Sequence, residues 1–120
     1  MIVTKEKGDL QMKNFYAGTF MNRTELAKEG IFYPIKLEYY KVTEVEEGRE
    51  IYGIEVIKTK YNKQEPEIER ETKLHITDRE NEIHRLLNCL KEGEVTPTQL
   101  EYVIRDLTYV AERIELSLEA

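Results

Sequence analysis

The side chains best suited to metal binding or nucleophilic chemistry are few, and their spacing keeps them apart. They are His75, His84 and Cys89, the only histidines and the only cysteine in the chain. His75 falls on the outward parity of a predicted strand. His84 and Cys89 lie on opposite flanks of a predicted helix, roughly 140° apart. A structural zinc site needs four converging ligands, so the spacing predicts no metal site and no bound cofactor.

The residue pattern does not indicate catalysis either. Cys89 and His84 would have to meet to form a nucleophile–base pair, and the same divergence separates them. No glycine-rich loop stands between a strand and a helix to hold a phosphate. Pairs of carboxylates are frequent, but 24 acidic residues in a chain of 120 produce such pairs by chance. We therefore expect no catalytic residues and no enzyme activity.

A stripe of interface-type residues on the last predicted helix is the clearest functional signal. Its members follow the spacing i, i+4, i+7, i+11 and lie about 120–160° from the apolar stripe of that helix. They are Tyr102, Asp106, Tyr109 and Arg113. Protein interfaces are enriched in Tyr and Arg, and Asp106 could pair with Arg113 across a two-fold contact. The stripe predicts a homodimer; packing under the N-terminal segment and simple surface exposure are the alternatives.

Two helix-start signals define the elements that carry these residues. Thr77 stands three residues before Glu80, and Thr96 stands three residues before Gln99. In such a capping box each side chain bonds the other residue's backbone N–H. Pro97 suits the first position of a helix, where its missing N–H has no cost. Two consecutive helices with a tight connection are therefore predicted.

These helices are predicted over residues 78–91 and 97–116, the first ending at Gly93. Each presents one apolar stripe with helical spacing and must bury it. The stripes comprise Ile83, Leu86, Leu87 and Leu90 in the first helix, and Leu100, Val103, Ile104, Leu107, Val110, Ala111 and Ile114 in the second.

Three strands are predicted before the helices, at residues 35–46, 51–61 and 67–76. Apolar and polar residues alternate along them, and short connections make them antiparallel neighbours in a meander. The alternation slips at Tyr39 and Tyr40, which indicates either a β-bulge or a strand buried on both faces. A two-helix hairpin laid on this three-stranded sheet forms a single α+β domain over residues 35–120.

Residues 1–34 are predicted to be a partly ordered N-terminal arm that lies across the domain. Glycines interrupt the segment, and no sustained periodicity is visible. Asn22 stands three residues before Glu25, and Gly30 follows shortly. This spacing predicts a short helix over residues 23–29.

Composition limits the class of partner and the compartment. The net charge is −6, and residues 78–120 contain five basic and ten acidic side chains. Nucleic acids are bound through clustered Lys and Arg, so nucleic-acid binding is not expected. No apolar run approaches the roughly 18 residues of a membrane span, and the start of the chain lacks the pattern of a signal peptide. With a single cysteine, the cytoplasm is the expected location.

Several short motifs together resemble a known family. They are Tyr39-Tyr40, Tyr52-Gly53-Ile54-Glu55-Val56, Ile76-Thr77 and Val95-Thr96-Pro97, followed by Leu100 and Asp106. Over residues 37–110 they resemble a family of small bacterial proteins classed as a domain of unknown function. The Tyr-Gly-Ile strand and the Val-Thr-Pro helix start are its most specific pieces. The resemblance supports the fold and implies no activity, cofactor or partner.

The function expected from these patterns is that of a small non-enzymatic protein-interaction or regulatory module that forms a homodimer. The alternative is a small-molecule-binding protein or an enzyme, with a pocket between sheet and helices that uses tyrosine hydroxyls. An interaction module should present an exposed tyrosine patch, whereas a pocket protein should present a concave site with converging polar groups.

Overall fold

The computed structural model describes residues 2–6, 9–30 and 33–108. Within these residues the chain forms five strands and three helices, an α+β arrangement. The strands are β1 (Ile2–Glu6), β2 (Asp9–Phe20), β3 (Ile35–Glu46), β4 (Arg49–Lys60) and β5 (Glu67–Thr77). The helices are α1 (Arg23–Lys28), α2 (Glu80–Glu92) and α3 (residues 100–108), the last preceded by a 3₁₀ turn at Pro97–Gln99.

The strands form one antiparallel sheet in the order β1-β2-β3-β4-β5. The meander of β3, β4 and β5 is present, but the prediction that it is the whole sheet was wrong. Instead of lying across the domain as an arm, the N-terminal segment adds β1 and β2 to the sheet. β2 pairs with β3 from Leu10↔Val45 to Phe20↔Lys36, which satisfies backbone groups that an edge strand would leave unpaired.

Sequence reasoning missed β2 because its alternation is broken. The register of β2 against β3 shifts between Phe15 and Ala17, so Tyr16 is an extra residue that reverses the facing of those after it. The α1 helix then occupies Arg23–Lys28, where the sequence predicts residues 23–29.

The slip at Tyr39 and Tyr40 comes from burial on both faces of β3. The register between β3 and β4 runs unbroken from Ile35↔Lys60 to Glu46↔Arg49, so β3 has no bulge against β4. Tyr39 and Val42 point to opposite faces of the strand, and both are buried.

A two-residue turn of Glu47 and Gly48 joins β3 to β4. Both residues have positive φ, +51° and +76°, as a type I′ hairpin requires. The turn brings the following strand back in the register that places Gly53 beside β5.

β5 is irregular near its C-terminal end, and Gly53 makes this possible. Tyr52 pairs with Thr77, yet Ile54 pairs with Lys73, so three residues of β5 stand opposite Gly53 alone. A Cβ on Gly53 would lie 2.5 Å from the carbonyl oxygen of Lys73. Only glycine allows this close approach, which is a physical reason for the Tyr-Gly-Ile motif.

The α2 helix begins slightly later than predicted. Its first residue is Glu80, with Arg79 as the N-cap, and Thr77 Oγ1 accepts a hydrogen bond from the Arg79 N–H at 3.1 Å. The predicted capping box at Thr77 was therefore wrong, because its hydroxyl bonds two residues ahead rather than three. Gly93 ends the helix and donates its N–H to the Cys89 carbonyl at 3.0 Å.

The second helix start agrees better with its pattern. Gln99 Oε1 accepts a hydrogen bond from the Thr96 N–H at 3.1 Å, the reciprocal half of a capping box. Pro97 opens the 3₁₀ turn that leads into α3. The described residues of α3 end at position 108, so the predicted continuation to position 116 lies outside them.

α2 and α3 pack on one face of the sheet, which we call the covered face. As predicted, the apolar stripe of α2 is completely buried there. On α3, Leu100 and Ile104 are buried, and Val103 and Leu107 are partly buried. The core on this face comprises Leu37, Tyr39, Tyr52, Ile54, Val56, Ile83, Leu86, Leu87, Leu90, Val95, Leu100 and Ile104. We call the opposite side of the sheet the open face.

Candidate functional site

The outer surface of α3 carries the two described members of the predicted interface stripe. Tyr102 is 69 % exposed and Asp106 is exposed, on the side of the helix opposite to buried Ile104. Tyr109 and Arg113 lie outside the described residues. Arg105 lies over the Tyr102 ring, with its guanidinium carbon 5.9 Å from the ring centroid. The visible half of the stripe is thus a solvent-facing aromatic and ionic surface.

A shallow groove of about 410 Å³ separates β5 from α3. Ile76 and Ile104 form its apolar floor, and Lys73 and Arg105 contribute two cations. Arg105 donates to Glu101 Oε1 at 3.3 Å, so one of these cations is already paired. No tyrosine is among the described residues that line the groove.

The tyrosine hydroxyls beside the helices have structural partners instead. Tyr39 donates to the Val95 carbonyl at 2.9 Å. Tyr52 donates to Glu50 Oε2 at 2.7 Å, and Glu80 Oε2 lies 3.1 Å away. Burial raises the pKa of Tyr39 well above its usual range. The hydrogen bond to the Glu50 carboxylate is the main cause of a similar rise in the pKa of Tyr52. These hydroxyls are held neutral, in positions that fasten the sheet to the helices.

A partly buried ionic cluster lies at the centre of the open face. Glu55 on β4 is only 7 % exposed, although α2 and α3 pack on the opposite face. It forms an ion pair with Lys13 of β2 and accepts a hydrogen bond from Thr72 Oγ1 of β5 at 2.7 Å. Glu55 therefore links three strands through side chains, which satisfies a carboxylate that would be costly to bury alone.

Aromatic rings extend this cluster toward β2. Lys13 Nζ lies 5.0 Å from the centroid of the Tyr40 ring, and the Phe15 ring meets Tyr40 edge to face at 5.6 Å. Tyr40 donates to Glu38 Oε2 at 2.8 Å. Burial, followed by this bond, raises the pKa of Tyr40 to about 12. Phe15 is 58 % exposed, so the open face presents an apolar ring beside a fixed set of polar groups.

The structure keeps the three residues considered for metal or nucleophilic chemistry apart. His84 and Cys89 lie on α2, on the covered side, where Lys41 Nζ approaches His84 Nε2 at 3.4 Å. Arg85, the nearest cation to Cys89 by helical spacing, donates instead to Glu82, at 3.2 Å from Nε. His75 is on β5, and its side chain reaches the open face.

His75 meets two carboxylates that sequence reasoning did not consider. Its Nε2 lies 3.1 Å from Glu44 Oε1 and 3.1 Å from Glu46 Oε1, both on β3. The alternation Glu44-x-Glu46 indicates a shared face. The contact with His75, however, crosses an intervening strand and depends on the irregularity opposite Gly53. The only signal for this contact in the sequence was Gly53 of the Tyr-Gly-Ile motif. Its role can be recognised only when the pairing of β4 with β5 is known.

Within the part of the chain that the structure describes, no helix is long and apolar enough to cross a membrane. No curated protein and no solved structure shows significant similarity to the chain. One family model matches, described as a family of unknown function, DUF6514, and it covers residues 19–110. The match starts earlier than the 37–110 expected from the motifs and includes the end of β2 and all of α1. Because it spans most of the sequence, the chain belongs to the DUF6514 family of unknown function.

Proposed function

We propose that this chain is a small non-enzymatic interaction or regulatory module, and that its partner is a second copy of itself bound through the outer surface of α3. The observation that carries the proposal is the 69 % exposure of Tyr102. It is the most exposed large apolar or aromatic side chain in the described part of the chain. Tyrosine supplies a large rigid contact area with a polar tip, and such residues form the energetic centres of interfaces.

The charges around Tyr102 support self-association. Glu101, Arg105 and Asp106 are all exposed and carry both signs on a short stretch of helix. In a two-fold contact both subunits use the same surface, so each contact between two residues occurs twice. Two antiparallel copies of α3 would therefore bring Arg105 beside the partner subunit's Asp106 and the reverse. In sequence, Tyr109 and Arg113 continue the same stripe, so the contact could extend further along the helix.

The state of the tyrosine hydroxyls supports a non-enzymatic role. General acid–base catalysis is most effective when the pKa of the group lies near the working pH. The pKa values of Tyr39, Tyr40 and Tyr52 are raised, away from neutral pH. Each hydroxyl already donates a hydrogen bond to a carbonyl or carboxylate oxygen. With one cysteine in the chain, we include the reducing cytoplasm in the proposal. The net charge of −6 favours a protein over a nucleic acid as partner.

The groove between β5 and α3 supports a second candidate function, binding of a small anionic molecule with an apolar body. Ile76 and Ile104 would contact the apolar part, and Lys73 would pair with the charge. An anionic, apolar fluorescent dye such as an anilinonaphthalene sulfonate is a suitable probe. Saturable binding that Lys73→Gln weakens, with Lys58→Gln as the matched control on β4, would favour this candidate.

Light scattering coupled to size exclusion tests the dimer. We expect the mass to rise from one chain to two between low and high micromolar concentration. Tyr102→Asp should remain a monomer. Tyr61→Asp, which changes a tyrosine that is 40 % exposed at the end of β4, should dimerise like the wild type. A wild type that stays monomeric, or a Tyr102→Asp variant that dimerises equally well, would contradict the proposal.

A further inference from the structure

The three groups that meet on the open face have the chemistry of metal ligands. His75 Nε2, Glu44 Oε1 and Glu46 Oε1 each offer a lone pair, and one ligand atom from each residue lies within 4.8 Å of the others. The two nitrogen–oxygen distances are 3.1 Å. Donor atoms around one ion lie roughly 2.8–3.6 Å apart, from octahedral to tetrahedral geometry, when metal–ligand bonds are about 2.0–2.2 Å long. The two distances to His75 therefore match coordination spacing, and the two carboxylate oxygens lie within 4.8 Å of each other.

The backbone holds this arrangement through three strands. Glu44 and Glu46 are two residues apart on β3 and so project from the same face. His75 comes from β5 and must reach across β4. It does so at Gly53, the position without a side chain, where β5 carries its extra residues. His75 itself has φ of +54°, in the left-handed region that histidine enters more often than most other non-glycine residues.

Solvent can reach the cluster. The His75 side chain is 52 % exposed and that of Glu46 is 39 % exposed, whereas that of Glu44 is 15 % exposed. Arg49, which pairs with Glu46 across the hairpin, directs its guanidinium to Asp78 Oδ2 at 2.7 Å. An ion could therefore enter from the open face and complete its coordination with water.

We propose that Glu44, Glu46 and His75 form a binding site for a divalent transition-metal ion, with Zn²⁺ as the best-matched probe. Two carboxylates and a neutral imidazole balance the charge of a divalent ion. Three protein ligands leave at least one position for water. The imidazole favours Zn²⁺ and similar ions over Mg²⁺ and Ca²⁺, which take oxygen ligands. His75 also lines the groove together with Glu101 and Arg105, but none of the three ligands belongs to the Tyr102–Asp106 stripe of α3.

The competing interpretation is an ion pair in which a protonated His75 bridges the two carboxylates. A metal ion must then displace the Nε2 proton, since only the neutral ring coordinates. The two interpretations give opposite results in a titration with metal. Coordination predicts saturable binding of the metal ion, and an ion pair alone does not.

Calorimetric titration of the untagged, chelator-treated full chain with Zn²⁺ is the test. We expect one ion per chain, no competition from excess Mg²⁺, and a shift of the His75 ring resonances in NMR spectra. His75→Gln and Glu44→Gln should each weaken binding by more than the roughly 10–100-fold typical of losing a second-shell partner. His84→Gln changes the other histidine, on the covered side, and should bind like the wild type.

Each remaining outcome would overturn the proposal. Absence of saturable binding would leave the cluster as a histidine–carboxylate ion pair. Binding that survives His75→Gln unchanged would place the ion elsewhere. Circular dichroism of each variant verifies that the fold is retained, which is expected because His75 is half exposed. Zn²⁺ titration of Tyr102→Asp should match the wild type, so that this test and that of the dimer fail separately.

Discussion

The two faces of the sheet are both well shielded near their centres, but by different means. On the covered face, Leu37, Ile54 and Leu87 are completely buried between the sheet and α2. On the open face, Glu55 is 7 % exposed because Lys13 and Thr72 close over it from the neighbouring strands. One face is thus excluded from water by a second layer, and the other by its own long side chains.

The comparison teaches that burial in this fold has two kinds of origin. Apolar packing under the helices is non-directional and scales with the area removed from water. On the open face, the burial of Glu55 instead depends on directional pairs that have to be satisfied to be tolerated. The polar groups of this face are consequently preorganised, and a cluster of potential ligands forms at its edge.

The largest loss of stability is expected from truncating a buried side chain on the covered face. Leu87→Ala removes a completely buried side chain of α2 and should lower the free energy of unfolding by about 2–5 kcal/mol. Leu74→Ala is the matched control, because Leu74 is 37 % exposed on β5, and it should cost much less. Urea denaturation measures both. Equal losses would mean that the helix layer does not dominate stability.

The second-largest loss of stability is expected at the contact between β4 and β5. Gly53→Ala places a Cβ 2.5 Å from the Lys73 carbonyl oxygen, so the backbone must shift, at a cost of about 1–3 kcal/mol or more. Gly18→Ala is the control, since its Cβ would come no closer than 3.4 Å to the Phe15 ring and 3.6 Å to the Leu37 carbonyl oxygen. Thermal melts compare the two. NMR of Gly53→Ala should also show a changed His75 environment, and an unchanged one would contradict the role given to Gly53.

The ionic cluster of the open face should give a smaller loss with a distinctive rescue. Lys13→Met leaves the Glu55 carboxylate without its cation, and we expect a loss of about 1–3 kcal/mol. Adding Glu55→Met should recover much of it, because replacing both partners removes the unpaired charge. Lys58→Met, which breaks a longer and more exposed pair with Glu69 at 3.9 Å, should cost about 0–1 kcal/mol. A double variant no more stable than Lys13→Met would contradict the view that the Lys13–Glu55 pair compensates for the burial of Glu55.

The smallest effect is confined to alkaline solution. The pKa of Tyr40 is raised from 10.0 to about 12, so the folded state holds a proton that the unfolded chain releases first. The resulting stability is complete below pH 10 and is lost as the pH rises toward 12. Tyr40→Phe should therefore weaken the decline of the denaturation midpoint over this range. Glu38→Gln, which removes the carboxylate acceptor, should act in the same direction; an unchanged slope in both would exclude Tyr40 as a contributor.

Sequence patterns were sufficient where burial follows local periodicity. The α2 stripe, the approximate positions of β3, β4 and β5, and the end of α2 at Gly93 all agree with the structure. Sequence patterns failed where strand pairing joins distant parts of the chain. β2 was missed because the bulge at Tyr16 disrupts its alternation. Ile68 belongs to the third predicted strand, yet it is 60 % exposed because β5 is at the edge of the sheet.

The candidate sites divide along the same line. The exposure of Tyr102 could be predicted from the 3.6-residue period of α3, because the facing of a helical residue depends on neighbours within a few positions. The meeting of His75 with Glu44 and Glu46 could not, since it joins two strands that are not adjacent in the sheet. The sequence by itself determined which helix and strand segments form and which of their sides are apolar. Only the tertiary structure decided which polar groups meet on the open face, because strand register and a bulge at one glycine place side chains from distant parts of the chain together.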